Sequence, residues 1–145
     1  PRSTHCISSA ASDVYKRQAL IGKYFIPLLD NQNPSVLSFL SARVGSISDN
    51  KLGGWHAYRA TKAALNMLIK NFSIELNRTN KLAKVIGLHP GTVDTRLSKP
   101  FQRNVPENKL FTPEFAAISM ASVISNLHDN ESGSIFAFDG SKIDS

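Results

Sequence analysis

A helical period set between two short apolar runs constrains this chain more than any other feature. From Tyr58 onward Leu65, Leu68, Phe72 and Leu76 recur at spacings of three and four, the period of a helix with one buried stripe. Before it lies Ser35-Val36-Leu37-Ser38-Phe39-Leu40-Ser41, an apolar run bounded by turn signals, which reads as a strand buried on both faces. After it Ala83-Lys84-Val85-Ile86-Gly87-Leu88-His89 reads as a second strand, stopped by Pro90-Gly91. Strand, long helix and strand make a βαβ unit, which is right-handed and builds a parallel sheet. The expected fold is therefore α/β.

The flanking segments fit the same plan. Residues 19–29 read as the end of an amphipathic helix, closed near Pro27. Residues 30–34 form a turn cluster, and residues 42–55 a loop rich in Gly and small polar residues, at the strand end where α/β proteins keep their chemistry. Asn77 to Asn80 closes the long helix. Residues 94–112 are either a mobile flap over a site or an ordinary surface connection. Thr112-Pro113-Glu114 starts another helix by its cap, first-turn proline and acidic residue, with Phe115, Ile118, Ala121, Ile124 and Leu127 as its expected buried stripe. Residues 129–133 are a turn, and Ser134 to Gly140 a last strand.

The first 18 residues read differently. They carry no sustained helical or strand period, and Asp13-Val14-Tyr15-Lys16-Arg17-Gln18 resembles the translation of a transposase mosaic-end sequencing adaptor. We expect residues 1–18 to be a non-native scar and residues 19–145 to be the natural sequence, with a genuine polar tail as the alternative. No apolar core follows the basic residues of this segment, so it is not a signal peptide. No stretch approaches the length of a membrane span. The single cysteine, Cys6, lies in the suspect segment, which leaves no disulfide or cysteine-based metal site and is compatible with a reducing, cytoplasmic setting. The formal charge of +6 falls to +4 without Arg2, Asp13, Lys16 and Arg17, and the remaining cations are scattered rather than clustered, which argues against a nucleic-acid partner.

Chemistry concentrates at Tyr58 and Lys62. Four residues apart, they are neighbours on one helix face. A phenol has a reference pKa near 10 and is a poor acid or base at neutral pH. A neighbouring ammonium favours the phenolate and is expected to lower the Tyr58 pKa toward the working range of general acid/base catalysis. The same spacing also arises by chance, as an exposed pair worth about 0.2–0.5 kcal/mol.

Four stretches in order, Phe25-Ile26-Pro27-Leu28-Leu29, Ser41-Ala42-Arg43-Val44-Gly45-Ser46-Ile47, Tyr58-Arg59-Ala60-Thr61-Lys62-Ala63-Ala64-Leu65-Asn66 and His89-Pro90-Gly91-Thr92-Val93-Asp94-Thr95, resemble the short-chain dehydrogenase/reductase family. Within it, the C-factor-like and sniffer-like carbonyl reductases are most similar. The resemblance covers residues 19–145 and implies the C-terminal half of a Rossmann-like, doubly wound parallel sheet, working with NAD or NADP on a small carbonyl or alcohol substrate. It implies that Tyr58 exchanges a proton with the substrate oxygen, that Lys62 binds the ribose and lowers the Tyr58 pKa, and that Pro90, Gly91, Thr92, Val93 and Thr95 line the cofactor. It also implies a homo-oligomer, dimer or tetramer, built through the long helix and the helix before Pro27.

Two departures accompany the resemblance. The family places a serine three residues before the loop glycine, and counting back from Gly45 puts Ala42 there. Ser41 should point to the other side of its strand, and Ser46 lies in the loop, so either a loop serine substitutes or the site is weakened. The Gly-rich turn that receives a pyrophosphate is absent between Ala19 and Tyr58, so the fragment alone is expected to be inactive. Two alternatives remain: a non-catalytic or signalling relative that acts as a binding module, and an epimerase or dehydratase using the same Tyr/Lys pair.

Overall fold

A computed structural model describes residues 4–144. The order is helix α1 (Thr4–Phe25), strand β1 (Ser35–Leu40), helix α2 (His56–Thr79), strands β2 (Ala83–His89), β3 (Thr92–Val93) and β4 (Leu110–Phe111), helix α3 (Pro113–Ser125), and strands β5 (Ile135–Ala137) and β6 (Lys142–Ile143). The main sheet runs β1-β2-β5-β6. Its first three strands are parallel, with Ser35 to Leu40 opposite Ala83 to Leu88 and Gly87 to His89 opposite Ile135 to Ala137, and β6 returns antiparallel. The expected βαβ unit is present with its second strand at the boundaries read from sequence.

Alternation along β2 sends Val85 to one face and Ile86 to the other. Val85 joins Phe39, Leu65, Ile69, Leu76 and Ile135 in the core beneath α2, with Phe72 half-buried against it. Ile86 joins Leu88, Val123 and Phe136 beneath α3. Helices thus cover both faces of a parallel sheet, the doubly wound arrangement. No helix among the described residues is long and apolar enough to cross a membrane.

Four expectations need correction. Residues 4–18 are helical, continuous with the helix expected from Ala19. They contain no Gly or Pro, and extending an existing helix costs far less than nucleating one, so the lack of an apolar period does not stop it. β1 is not buried on both faces. It is an edge strand with β2 as its one neighbour among the described residues, and Leu40 is 55% exposed. On α3 the buried side chains are Ala116 and Val123; Met120, Ile124 and, just past the helix, Leu127 pack against the cluster that holds Val123, while Ile118 is 72% and Phe115 46% exposed. That helix is apolar nearly all round, so spacing alone could not select its inner face. On α2 the stripe is wider than the leucines suggested. Leu65 and Leu76 are buried, but so are Ile69 and the polar Thr61, Asn66 and Ser73.

Thr112 caps α3 as read from sequence, accepting a hydrogen bond from the Phe115 backbone N–H at 3.2 Å. The β3–β4 ladder was not foreseen, because two-residue strands leave no period. Ile69, fully buried in the main core, gives the sharpest test of this packing. Ile69→Ala should lower the unfolding free energy by about 2–5 kcal/mol and Leu68→Ala, half-buried, by clearly less. Urea unfolding that ranks the two variants the other way would contradict the described face of α2.

Candidate active site

The first turns of α2 are pinned to the end of β1. Trp55 precedes the helix at φ 49°, in the left-handed region, and provides no side-chain cap. Arg59 does the anchoring instead: its Nε donates to the carbonyls of Gly53 and Gly54, both at 3.1 Å, and its Nη1 to that of Val44 at 3.3 Å. Behind it, a Cβ at Gly45 would lie 2.7 Å from the Lys62 carbonyl carbon, so only glycine lets the loop after β1 pass this close to the helix.

Lys62 Nζ donates to the Leu40 carbonyl, the last of β1, at 2.8 Å, and stands 5.9 Å from the centroid of the Tyr58 ring. The two predicted side chains therefore meet at the carboxyl end of the parallel strands. Their electrostatics depart from expectation. Burial raises the Tyr58 pKa above the usual phenol value, and burial lowers that of Lys62. Desolvation disfavours each charged form, and it is the cause of both shifts. The expected lowering of the Tyr58 pKa is not found.

The second group of predicted residues follows β2. Pro90, Gly91, Thr92 and Val93 are half-buried and Thr95 is exposed. Gly91 has φ 75°, and a Cβ there would run into the rings of Phe111 and Phe138, so this turn needs glycine twice over. Phe111 packs on Phe138 at 4.5 Å and on Phe115 at 4.8 Å between centroids. Thr92 and Val93 pair with Leu110 and Phe111. Ser98 Oγ donates to the Val93 carbonyl and accepts from the Thr95 N–H at 3.2 Å, and Gln102 Nε2 donates to Asp94 Oδ1 at 2.8 Å. The segment expected as a flap is thus tied back to residues 93–95. Since Ser41 N–H donates to the Leu88 carbonyl at 2.8 Å, the ends of β1 and β2 adjoin, and the two groups share one end of the sheet.

Ala42 is buried. Ser41 is also buried, and its Oγ donates to Asn66 Oδ1 on α2. Ser46 Oγ is buried, accepts from the Asp49 N–H at 3.0 Å and shares a hydrogen with Ser48 Oγ at 3.3 Å. The hydroxyls of Ser41, adjacent to Ala42, and of Ser46, in the loop, are therefore both engaged in holding local structure. Two clefts, of about 530 Å³ beside α3 and about 440 Å³ between α2 and β6, are lined by neither Tyr58, Lys62 nor residues 90–95. With Tyr58 45% exposed, the candidate site is an open shelf.

Sequence reasoning passed over His89, although a histidine closing an otherwise apolar strand was a visible signal. Burial, then the positive charges of Arg43 and Lys62, lower its pKa to about 4, against a smaller opposing pull from Asp139. Its folded pKa lies below the free imidazole value, so the unfolded chain binds more protons between roughly pH 6.5 and 4. The stability held by neutral His89 is complete above that window and is lost as pH falls through it, a change on the order of 3 kcal/mol at most. Urea midpoints measured at pH 7 and pH 4.5 should therefore drop more for the unmodified protein than for His89→Gln, and equal drops would remove His89 from the balance.

Known proteins resemble the chain in sequence and in fold. Residues 25–106 match the family model described as short chain dehydrogenase. The chain is 40% identical over 114 residues to the 1-hydroxy-2-glutathionyl-2-methyl-3-butene dehydrogenase of Rhodococcus sp. (strain AD45), covering 79% of this chain and 47% of that protein. It is 34% identical over 107 residues to the C-signal of Myxococcus xanthus, covering 74% of this chain and 59% of that one. Among solved structures it resembles the carbonyl reductase Sniffer of D. melanogaster, with a TM-score of 0.73, 25% identity, and coverage of 88% of this chain and 52% of that one. It also resembles the NADPH-bound carbonyl reductase from chicken fatty liver, with a TM-score of 0.64, 28% identity, and coverage of 76% and 42%. The chain spans about half the length of the curated relatives it matches.

Proposed function

This chain belongs to the short-chain dehydrogenase family, and on that premise we propose that residues 19–145 are the C-terminal half of an NAD- or NADP-dependent oxidoreductase that interconverts a carbonyl and an alcohol. Residues 1–18 are a scar in this reading. The observation that carries it is the meeting of Tyr58 and Lys62 at the carboxyl end of the parallel strands, where open α/β sheets hold their ligands.

The donor set suits the nicotinamide half of the cofactor. An ammonium has three N–H donors, and Lys62 commits one to the Leu40 carbonyl, which leaves two for the ribose hydroxyls. Pro90, Gly91, Thr92 and Val93 would form a wall for the ring, held from behind by Phe111 and Phe138, and Thr95 offers a hydroxyl beside it. The bound cofactor supplies or accepts a hydride. Tyr58 then gives its proton to the substrate oxygen during reduction; a phenol is protonated at neutral pH, and burial moves its pKa further up. Residues 19–57 contain no Gly-rich turn for the pyrophosphate, so this chain by itself is inactive in this reading. Exposed apolar side chains on α1 and α2, among them Leu20, Tyr24 and Met67, suit a homo-oligomer built through those helices.

A second reading is a non-catalytic or signalling relative that acts as a binding module; one of the similar proteins bears the name C-signal. Ala42 supports it, together with the engagement of Ser41 and Ser46 in local hydrogen bonds.

Sequencing the source DNA across the junction before Ala19 comes first, since a strand, a Gly-rich turn and a helix upstream are what the enzyme reading requires. In the protein so completed, Tyr58→Phe should lower kcat by about 10²–10⁴ with cofactor affinity largely kept. Unchanged turnover would remove Tyr58 as the proton donor.

A further inference from the structure

The cleft beside α3 is lined by no residue of the candidate site. Its floor is apolar: Phe136 and Val123 are buried, and Leu127 and Phe138 half-buried. At about 530 Å³ it has the volume of a small-molecule pocket. Charge sets it apart from the rest of the chain. The formal net charge of the protein is +6, yet the described residues lining this cleft include two carboxylates, Glu131 and Asp139, and no lysine or arginine.

The surroundings of the cleft favour a cation in three independent ways. The last turn of α3 brings Ser122 and Val123 to its wall, with Asn126 just beyond, and that turn carries no basic side chain. The negative end of the helix dipole is therefore left there without a countercharge. Phe136 already lies under one ammonium: Lys142 Nζ stands 5.8 Å from its ring centroid and 3.1 Å from Glu131 Oε1, the pairing of ring face and carboxylate that suits a cation. Glu131 itself is fully engaged, because its Oε2 accepts from the His128 N–H at 2.8 Å. Asp139 is not. Its Oδ1 accepts from the Ser141 N–H at 3.0 Å and from Ser141 Oγ at 2.7 Å, whereas its Oδ2 has no hydrogen-bond partner among the described residues. Those two bonds hold its carboxyl below the usual range, so it is ionised at neutral pH. Arg43, whose charge also bears on Asp139, is paired with Asp49 at 2.9 Å.

We propose that this cleft is a binding site for a small primary amine on an apolar body, as in an arylalkylamine, with the ammonium on Asp139 Oδ2 and the body over Phe136 and Phe138. Phe138 is braced by Phe111, 4.5 Å away between centroids, which fixes that wall. Neither Tyr58 nor Lys62 takes part, so the site stands apart from the oxidoreductase reading and from whatever reaction that pair performs.

The test is calorimetric titration of the full-length protein with 2-phenylethylamine, 2-phenylethanol and 3-phenylpropionate, which share a ring and differ in charge. The amine should bind saturably and about tenfold more tightly than the alcohol, as an exposed ion pair and a cation–π contact together would give, and the carboxylate should bind most weakly. Asp139→Asn keeps the Oδ1 acceptor for Ser141 and removes the charge. It should weaken the amine about fivefold and leave the alcohol unchanged. Ser122→Phe, which puts a ring into the cleft at constant charge, should abolish both, with an unchanged thermal midpoint showing that the fold is kept. No saturable binding of the amine, equal binding of amine and alcohol, tighter binding of the carboxylate, or an amine affinity unmoved by Asp139→Asn would each overturn the proposal.

Discussion

The attachment of the first turns of α2 to the end of β1 is the constraint on which the rest depends. Three side chains and one missing side chain make it. Lys62 reaches the Leu40 carbonyl, Arg59 reaches Val44, Ser41 reaches Asn66, and Gly45 leaves room beneath Lys62. Each contact is modest, since a net hydrogen bond stabilises by about 0.5–1.5 kcal/mol. Together they fix the direction in which the helix leaves the sheet, and so the position of Tyr58 relative to the turn after β2. Farther along, Leu65 and Ile69 carry the hydrophobic weight of the same attachment.

Burial rather than charge sets the tone of the site. Placing a phenol, an ammonium and an imidazole together on an apolar sheet disfavours the ionised form of each, and all three move in the direction desolvation dictates. The Lys62 cation still matters, but its listening partner is His89, whose proton it helps to expel. The arrangement keeps Tyr58 and His89 neutral at pH 7.

Much of this was legible in the sequence where pattern and physics agree. The second strand, the long helix, the Thr112 cap and the Tyr58/Lys62 pair all rest on signals local to a few residues. The failures share a cause. The inner face of α3 depends on which neighbour it meets, and Ile118 is as apolar as Val123. The exposure of Leu40 depends on strand order, which no run of residues states. The Tyr58 pKa depends on how much water is removed from the ring, whereas spacing reports only who stands nearby. His89 was legible and passed over, because a polar residue at a strand end reads first as the start of a turn.

Helix α1 runs without a break through the junction expected at Ala19. An α-helix closes each of its hydrogen bonds four residues away along its own chain, so it needs no partner elsewhere to accept an added turn. A strand must instead find a neighbour in register. Helices are therefore tolerant places for an added segment to join a chain, whatever its side-chain pattern.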